Sequence, residues 1–174
     1  SGPCGRPVRR RGLRPGTQNV PAIVGCGAAC RVVEKVLQAD MKRVGVLRDK
    51  METQLLAAIP GSIINGARVS RLPGTTSLTV PGIPADMLIA NLVTVCVGSG
   101  AACNSGAPEP SHVLLAMKCT RANAESTVRV SLGRYTTEAE IETAVREIID
   151  AAAILKAKLE LSGDLAPARG GGIL

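Results

Sequence analysis

A chain of 174 residues with no Phe, no Trp and a single Tyr, Tyr135, has to fold around aliphatic side chains. Val, Ile, Leu, Ala and Met carry its core, so their spacing is the strongest guide to structure. The same shortage removes the aromatic platforms on which sequence-tolerant binding of single-stranded nucleic acid depends. Apolar residues still make up 45% of the chain and charged residues 20%, the balance of a chain that buries a core. The length suits one domain or part of a larger one. No apolar run approaches the roughly 20 residues that cross a bilayer, so no membrane span is expected.

Val33, Val36 or Leu37, Met41, Val44, Leu47, Met51 and Leu55 recur at steps of three and four and predict a long helix over 19–59, stopped by Pro60-Gly61. Short strands are expected over 62–69 and 77–80, on either side of the turn at Pro73-Gly74, then a short helix over 85–90 behind Pro84. The β-branched run 93–97 reads as a buried strand. A loop of small residues follows over 98–106, then a helix over 110–117 and a strand over 127–132 with Val128, Val130 and Leu132 on one side. The last helix opens at Thr136 or Thr137. With Thr137 first, Glu140 completes a Thr-x-x-Glu capping box, and Ile141, Val145, Ile148, Ala152, Leu155 and Leu159 form the apolar stripe. This order gives an α/β sandwich, a small sheet covered by helices and preceded by a long helix. The expected divisions are an irregular Arg-rich arm over 1–18, an α/β domain over 19–161 and a frayed tail over 162–174.

The net charge of +7 is concentrated in that arm, where Arg6, Arg9, Arg10, Arg11 and Arg14 stand without an acid among the first 14 residues. Such an arm can bind phosphates without specificity. The rest of the chain is close to neutral, so a solvated arm is the better reading and nucleic acid is not an expected partner. The opening residues lack an apolar signal core, and Pro3, Pro7 and Pro15 spoil an amphipathic transit helix. The expected location is the cytoplasm, or the mitochondrial matrix in a eukaryote.

The six cysteines, Cys4, Cys26, Cys30, Cys96, Cys103 and Cys119, have irregular spacings that favour free thiols in a reducing compartment. Cys26 and Cys30 share one helix face, but a metal site there would need further ligands at matched spacing. Both are expected as small buried hydrophobes, and so is Cys96 in its strand. Cys103 stands apart. On a Gly- and Ser-rich loop its thiol is accessible and could carry sulfur between two sites, provided its pKa is low enough to ionise. A plain surface thiol is the competing reading.

Gly98-Ser99-Gly100-Ala101-Ala102-Cys103-Asn104-Ser105-Gly106-Ala107-Pro108-Glu109-Pro110-Ser111-His112-Val113-Leu114 resembles the active-cysteine loop of the pyridoxal-phosphate-dependent cysteine desulfurases. Two more stretches fit in the same order. Residues 11–25, with Arg14-Pro15-Gly16-Thr17-Gln18-Asn19-Val20-Pro21 at their centre, look like the segment that leaves the large domain. Val128-Arg129-Val130-Ser131-Leu132-Gly133-Arg134-Tyr135-Thr136-Thr137-Glu138 is similar to the strand and helix start near the family's C-terminus. The resemblance covers about residues 11–160. It implies the C-terminal part of a fold-type-I enzyme, with the small domain nearly whole and the arm at 1–18 left over from the large one.

The resemblance also implies roles. Cys103 falls on the thiolate that takes the sulfur of L-cysteine and becomes a persulfide as alanine leaves. Arg129 falls on the arginine that holds the substrate carboxylate, for which a planar two-pronged donor is geometrically matched. On its own, Arg129 reads as an outward strand residue paired with an acid. Thr17 falls on the threonine that reaches the cofactor phosphate of the partner subunit; without the family it is a turn residue after Pro15-Gly16. The lone histidine, His112, sits at a helix start and reads as structural. Pyridoxal phosphate is the implied cofactor, and the family's Schiff-base lysine, stacking histidine and pyridine-pairing aspartate lie in its large domain, outside these residues. None of Lys35, Lys42, Lys50, Lys118, Lys156 and Lys158 stands in a context to replace that lysine. Implied partners are a sulfur acceptor or scaffold protein, serving Fe–S cluster or thio-cofactor synthesis, and a second subunit, either a copy of this chain or a complete desulfurase. The chain departs from the family at Arg6 to Arg10 and at Met117-Lys118-Cys119-Thr120. Selenocysteine lyase, with a similar loop, and a non-catalytic α/β interaction module are the alternatives.

Overall fold

In the computed structural model, residues 8–9, 14–15, 17–99 and 110–162 are described. The chain divides into two units, Ser1–Ala39 and Asp40–Leu174. In the first, the arm is not wholly irregular: two short strands, β1 (Val8–Arg9) and β2 (Arg14–Pro15), pair antiparallel with Val8 opposite Pro15. The long helix expected over 19–59 is α1 (Val20–Ala58), which begins in the first unit and continues into the second. Its start is set locally. The Asn19 side chain accepts from the Ala22 amide at 3.1 Å, and Pro21 stands in the first turn, where a missing N–H costs no helical bond. The helix ends two residues before Pro60, and Gly61 follows at φ 81°, in the left-handed region open to glycine.

The second unit is built on a four-stranded antiparallel sheet in the order β3 (Ile63–Ile64), β4 (Thr75–Thr79), β6 (Thr127–Ser131), β5 (Gly98–Ser99). The centre is β4 against β6, five residues in register from Thr75 opposite Ser131 to Thr79 opposite Thr127. Alternation then separates two faces. Leu78, Val128 and Val130 enter the core, where they join Met51 and Leu55 of α1 and Ile148 of α5 (Glu138–Ser162). Gly74 sits where a backbone must come close. A Cβ there would stand 2.6 Å from the Leu132 carbonyl, while the Gly74 carbonyl accepts from the Leu132 amide at 2.8 Å.

The alternative capping of the last helix resolves in favour of Thr137. The Glu140 carboxylate accepts from the Thr137 amide at 2.7 Å and the Thr137 hydroxyl accepts from the Glu140 amide at 3.3 Å. Lys50 of α1 pairs with Glu138 and Glu142, tying α5 to α1 at its first turn. Beneath α1, Arg71 makes a two-pronged pair with Glu52, 2.6 Å on each side, and the Thr76 hydroxyl donates to the same carboxylate at 2.7 Å. Three short helices complete the unit: α2 (Ala85–Ala90), α3 (His112–Ala116) and α4 (Arg121–Glu125).

Several expectations are corrected. The strand expected over 62–69 shrinks to Ile63–Ile64: the Asn65 amide still donates to the Ser77 carbonyl at 2.9 Å, and the turn at Gly66 (φ 73°) then leaves the ladder. The strand at 77–80 begins earlier, at Thr75, and α4 was not anticipated. The run 93–97 is not a strand. The Glu147 carboxylate of α5 accepts from the Val93 amide, from the Thr94 amide at 2.8 Å and from the Thr94 hydroxyl at 2.7 Å. Amides taken by a carboxylate are not available to a neighbouring strand, and Val93 is 89% exposed. The pairing edge begins only at Gly98. Cys96 lies exposed on this segment, and Cys26 and Cys30 are exposed on α1, so none of the three is the buried hydrophobe expected. No helix among the described residues is long and apolar enough to cross a membrane.

Two outcomes follow. Met51→Ala, at a fully buried position, lowers unfolding free energy in urea by about 2–5 kcal/mol, whereas Val46→Ala, at a position 63% exposed, changes it by no more than about 0.5 kcal/mol. Hydrogen bonds from Thr94 and Val93 hold the Glu147 carboxyl below the usual carboxylate range. A depressed carboxylate stabilises the fold above its unfolded pKa, and that contribution fades as pH falls through the folded value. Amide exchange of Val93 and Thr94, corrected for intrinsic rate, therefore accelerates on acidification in the parent. In Glu147→Gln it is already faster at neutral pH and depends less on pH.

Candidate functional site

The face of the sheet opposite the core is polar, as the alternation of β4 and β6 dictates: Thr75, Ser77 and Thr79 stand beside Ser131, Arg129 and Thr127. A directional chain of hydrogen bonds fixes one end of it. The Cys119 thiol donates to Asn65 at 3.5 Å and Asn65 donates to Thr79 at 2.9 Å. Thr79 and Thr127 share a bond of 2.7 Å, and Thr127 donates to the Asn123 carbonyl at 2.6 Å. Asn65 also donates to Ser77 at 3.2 Å. These polar side chains are satisfied by one another, which leaves them fixed rather than available.

Arg129 lies in the middle of this face. Its register partners are Ser77 on β4 and Gly98 on β5, so a short side chain flanks it on one side and none on the other. The guanidinium leans over Gly98, with Nη2 3.6 Å from the position a Cβ would take there. Arg129 is exposed, and the ion pairs among the described residues do not include it. The reading of a strand arginine spent on a neighbouring acid is thus not met. A two-pronged cationic donor on a fixed sheet, with small neighbours and no ion-pair partner among the described residues, suits a planar carboxylate or a phosphate.

The other candidates are more dispersed. Thr17 is exposed, three residues before the start of α1, in the first unit. Cys103 lies outside the described residues. The strand that carries Arg129's flank, β5, ends four residues before it. His112 opens α3 and is exposed. Glu147 was not legible beforehand: its role depends on α5 packing beside residues 93–95, more than 50 positions away, and no local motif signals it. It fixes the chain just before β5, and through β5 the flank of Arg129. A separate open groove of about 670 Å³, between residues 94–96, the end of β6 and the first turns of α5, is lined by Cys96, Leu132, Tyr135 and Ile141 among others, and by neither Arg129 nor Thr17.

Comparison with known proteins draws these features together. The aminotransferase class-V family model matches residues 9–143. The cysteine desulfurase NifS of Azotobacter vinelandii is 39% identical over 142 residues, 80% of this chain and 35% of that protein. A human cysteine desulfurase is 34% identical over 141 residues, 81% of this chain and 31% of its own length. Among solved structures, a NifS-like protein from Rickettsia africae superposes with a TM-score of 0.70 at 27% identity, covering 82% of this chain and 37% of the other. A second NifS-like structure gives 0.71 at 32% identity, with 83% and 37% covered. The chain spans about a third of the length of these relatives. The match across most of its residues, the likeness in fold to the solved structures and the ordered motifs around Arg129 agree: the chain belongs to the class-V aminotransferase family.

Proposed function

We propose that this chain is the small-domain part of a pyridoxal-phosphate-dependent cysteine desulfurase, with Arg129 as the anchor for the carboxylate of L-cysteine. The observation that carries this reading is the exposed Arg129 guanidinium, flanked by Ser77 and Gly98 on a sheet face where Ser77, Thr79 and Thr127 are tied into one hydrogen-bonded chain with Asn65. The named relatives that align across this region support the activity.

Within that reading Cys103 is the sulfur acceptor. Its thiolate forms an S–S bond to the substrate sulfur as the substrate's carbon–sulfur bond breaks, and the electron pair stays with the carbon, which takes a proton to give alanine. Pyridoxal phosphate, when bound, supplies the electron sink for that cleavage. The described residues fit the cofactor in part. Thr17 offers a hydroxyl to a phosphate. Lys42, Lys50, Lys156 and Lys158 stand on α1 and α5, the helices on the opposite face of the sheet from Arg129, and Lys50 is committed to Glu138 and Glu142. Lys35 belongs to the first unit's part of α1, and Lys118 to the turn after α3 at φ 67°. The lysine that holds the cofactor therefore comes from the large domain of the whole enzyme. Thr17 serves the phosphate in the partner subunit, and the persulfide passes to an acceptor or scaffold protein.

A second reading, association with another subunit through α1, is favoured by its exposed apolar residues Val20, Ile23, Val24 and Val32, each more than half exposed. The two readings are compatible, since the enzymes are expected to work as dimers.

Sulfur loading tests the assignment on the chain itself. With a small-molecule persulfide, sulfane sulfur passes to a thiolate and a thiol leaves. Peptide mass spectrometry is expected to find the added sulfur on Cys103 at least 10-fold faster than on Cys26, Cys30, Cys96 or Cys119, and to lose the fast phase in Cys103→Ser. Equal loading of all exposed cysteines would contradict the assignment.

A further inference from the structure

Cys26 and Cys30 are both exposed free thiols on α1, so packing in an apolar core explains neither. They stand four residues apart in an unbroken helix, which sets their Cβ atoms about 5–6 Å apart on one face. Both side chains lean toward the helix N-terminus and run side by side. A disulfide needs Cβ atoms about 3.5–4.5 Å apart with the bonds turned toward each other, so closing one here would distort the helix. The pair is held as a dithiol, at a separation one thiophilic atom can bridge. With bonds of about 2.3 Å to each thiolate, two sulfurs on opposite sides of one ion sit about 4.6 Å apart, within reach of ordinary rotamers of both side chains.

The row of the helix beside the pair is open. Gly27, on the neighbouring row of the helix, has no side chain, and what approaches the space above it is the guanidinium of Arg31, with Nη1 4.0 Å from the position of a Cβ. Among the described residues no group of three or more His, Cys, Asp or Glu side chains could hold a metal. Tetrahedral zinc, which takes four such ligands, therefore does not fit. Two thiolates alone match a soft cation of low coordination number.

We propose that Cys26 and Cys30 form a two-thiolate site for a soft, two-coordinate cation of the Cu(I) and Hg(II) class. One ion bridges the two sulfurs as both thiols give up their protons, with no change of oxidation state. This site uses none of the residues of the Arg129 face. The thiols at Cys96 and Cys119 are single, with no second sulfur one helical turn away.

The test titrates the reduced full chain with Cu(I) against a competing Cu(I) chelator, under argon, and counts retained metal per chain by native mass spectrometry. One tightly held Cu(I) per chain is expected. Cys26→Ser and Cys30→Ser each weaken retention at least 10-fold, while Cys96→Ser and Cys119→Ser leave it unchanged. Because both positions are exposed, circular dichroism at 222 nm stays the same in all four. Spacing gives the second arm: Cys30→Ser with Ala29→Cys, three residues from Cys26, restores binding, and Cys30→Ser with Ala28→Cys, on another face, does not. Retention in the single serine variants, restoration by the Ala28→Cys spacing as well as by Ala29→Cys, or one ion shared between two chains would overturn the proposal.

Discussion

The pairing of β6 with β4 decides what every other part of the second unit does. Five residues in register leave each side chain of β6 on one of two faces, and the alternation does not allow an exchange without moving all of them. Val128 and Val130 are drawn into the aliphatic core with Met51, Leu55 and Ile148. Arg129, between them, is held on the opposite face as firmly as the core is packed. In a protein without Phe or Trp this division depends on close contact between branched aliphatic side chains. A shift by one residue would bury the arginine and expose both valines.

Around that strand, polar side chains act mainly as fasteners. Thr137 and Glu140 fix the first turn of α5, and Lys50 joins that turn to α1. Glu147, further along the same helix, takes the amides that would otherwise extend the edge strand. The fastening determines where β5 begins, and β5 supplies the glycine over which the Arg129 guanidinium leans. Position of the Arg129 guanidinium is thus linked to a carboxylate two elements away, although the two never touch.

Legibility in the sequence follows the range of the forces involved. The second half of α1, the capping box and stripe of α5 and the alternation of β6 rest on periodicity and on neighbours three or four residues apart, and each stands as read. The run at 93–97 misled because β-branched composition reports a local preference, while its amides are claimed by Glu147 from a distant helix. Cys26, Cys30 and Cys96 misled for a related reason: cysteine's usual burial says nothing about which face of a helix, or which segment, a neighbour covers. Arg129 was singled out through the ordered motifs that surround it. What its neighbours do, with Ser77 and Gly98 beside it and the Asn65–Thr79–Thr127 chain next to it, required the strand register.

The central claim is that the polar face around Arg129 receives the carboxylate of L-cysteine. The most direct measurement joins this chain to a cofactor-binding large domain from a relative and follows alanine release from L-cysteine, comparing Arg129 with Arg129→Met while the visible absorbance of bound pyridoxal phosphate is monitored. Loss of charged hydrogen bonds to the substrate is expected to lower kcat/KM by about 10- to 100-fold with the cofactor still in place. Equal turnover by both proteins, or a fusion that holds the cofactor and releases no alanine, would contradict the account.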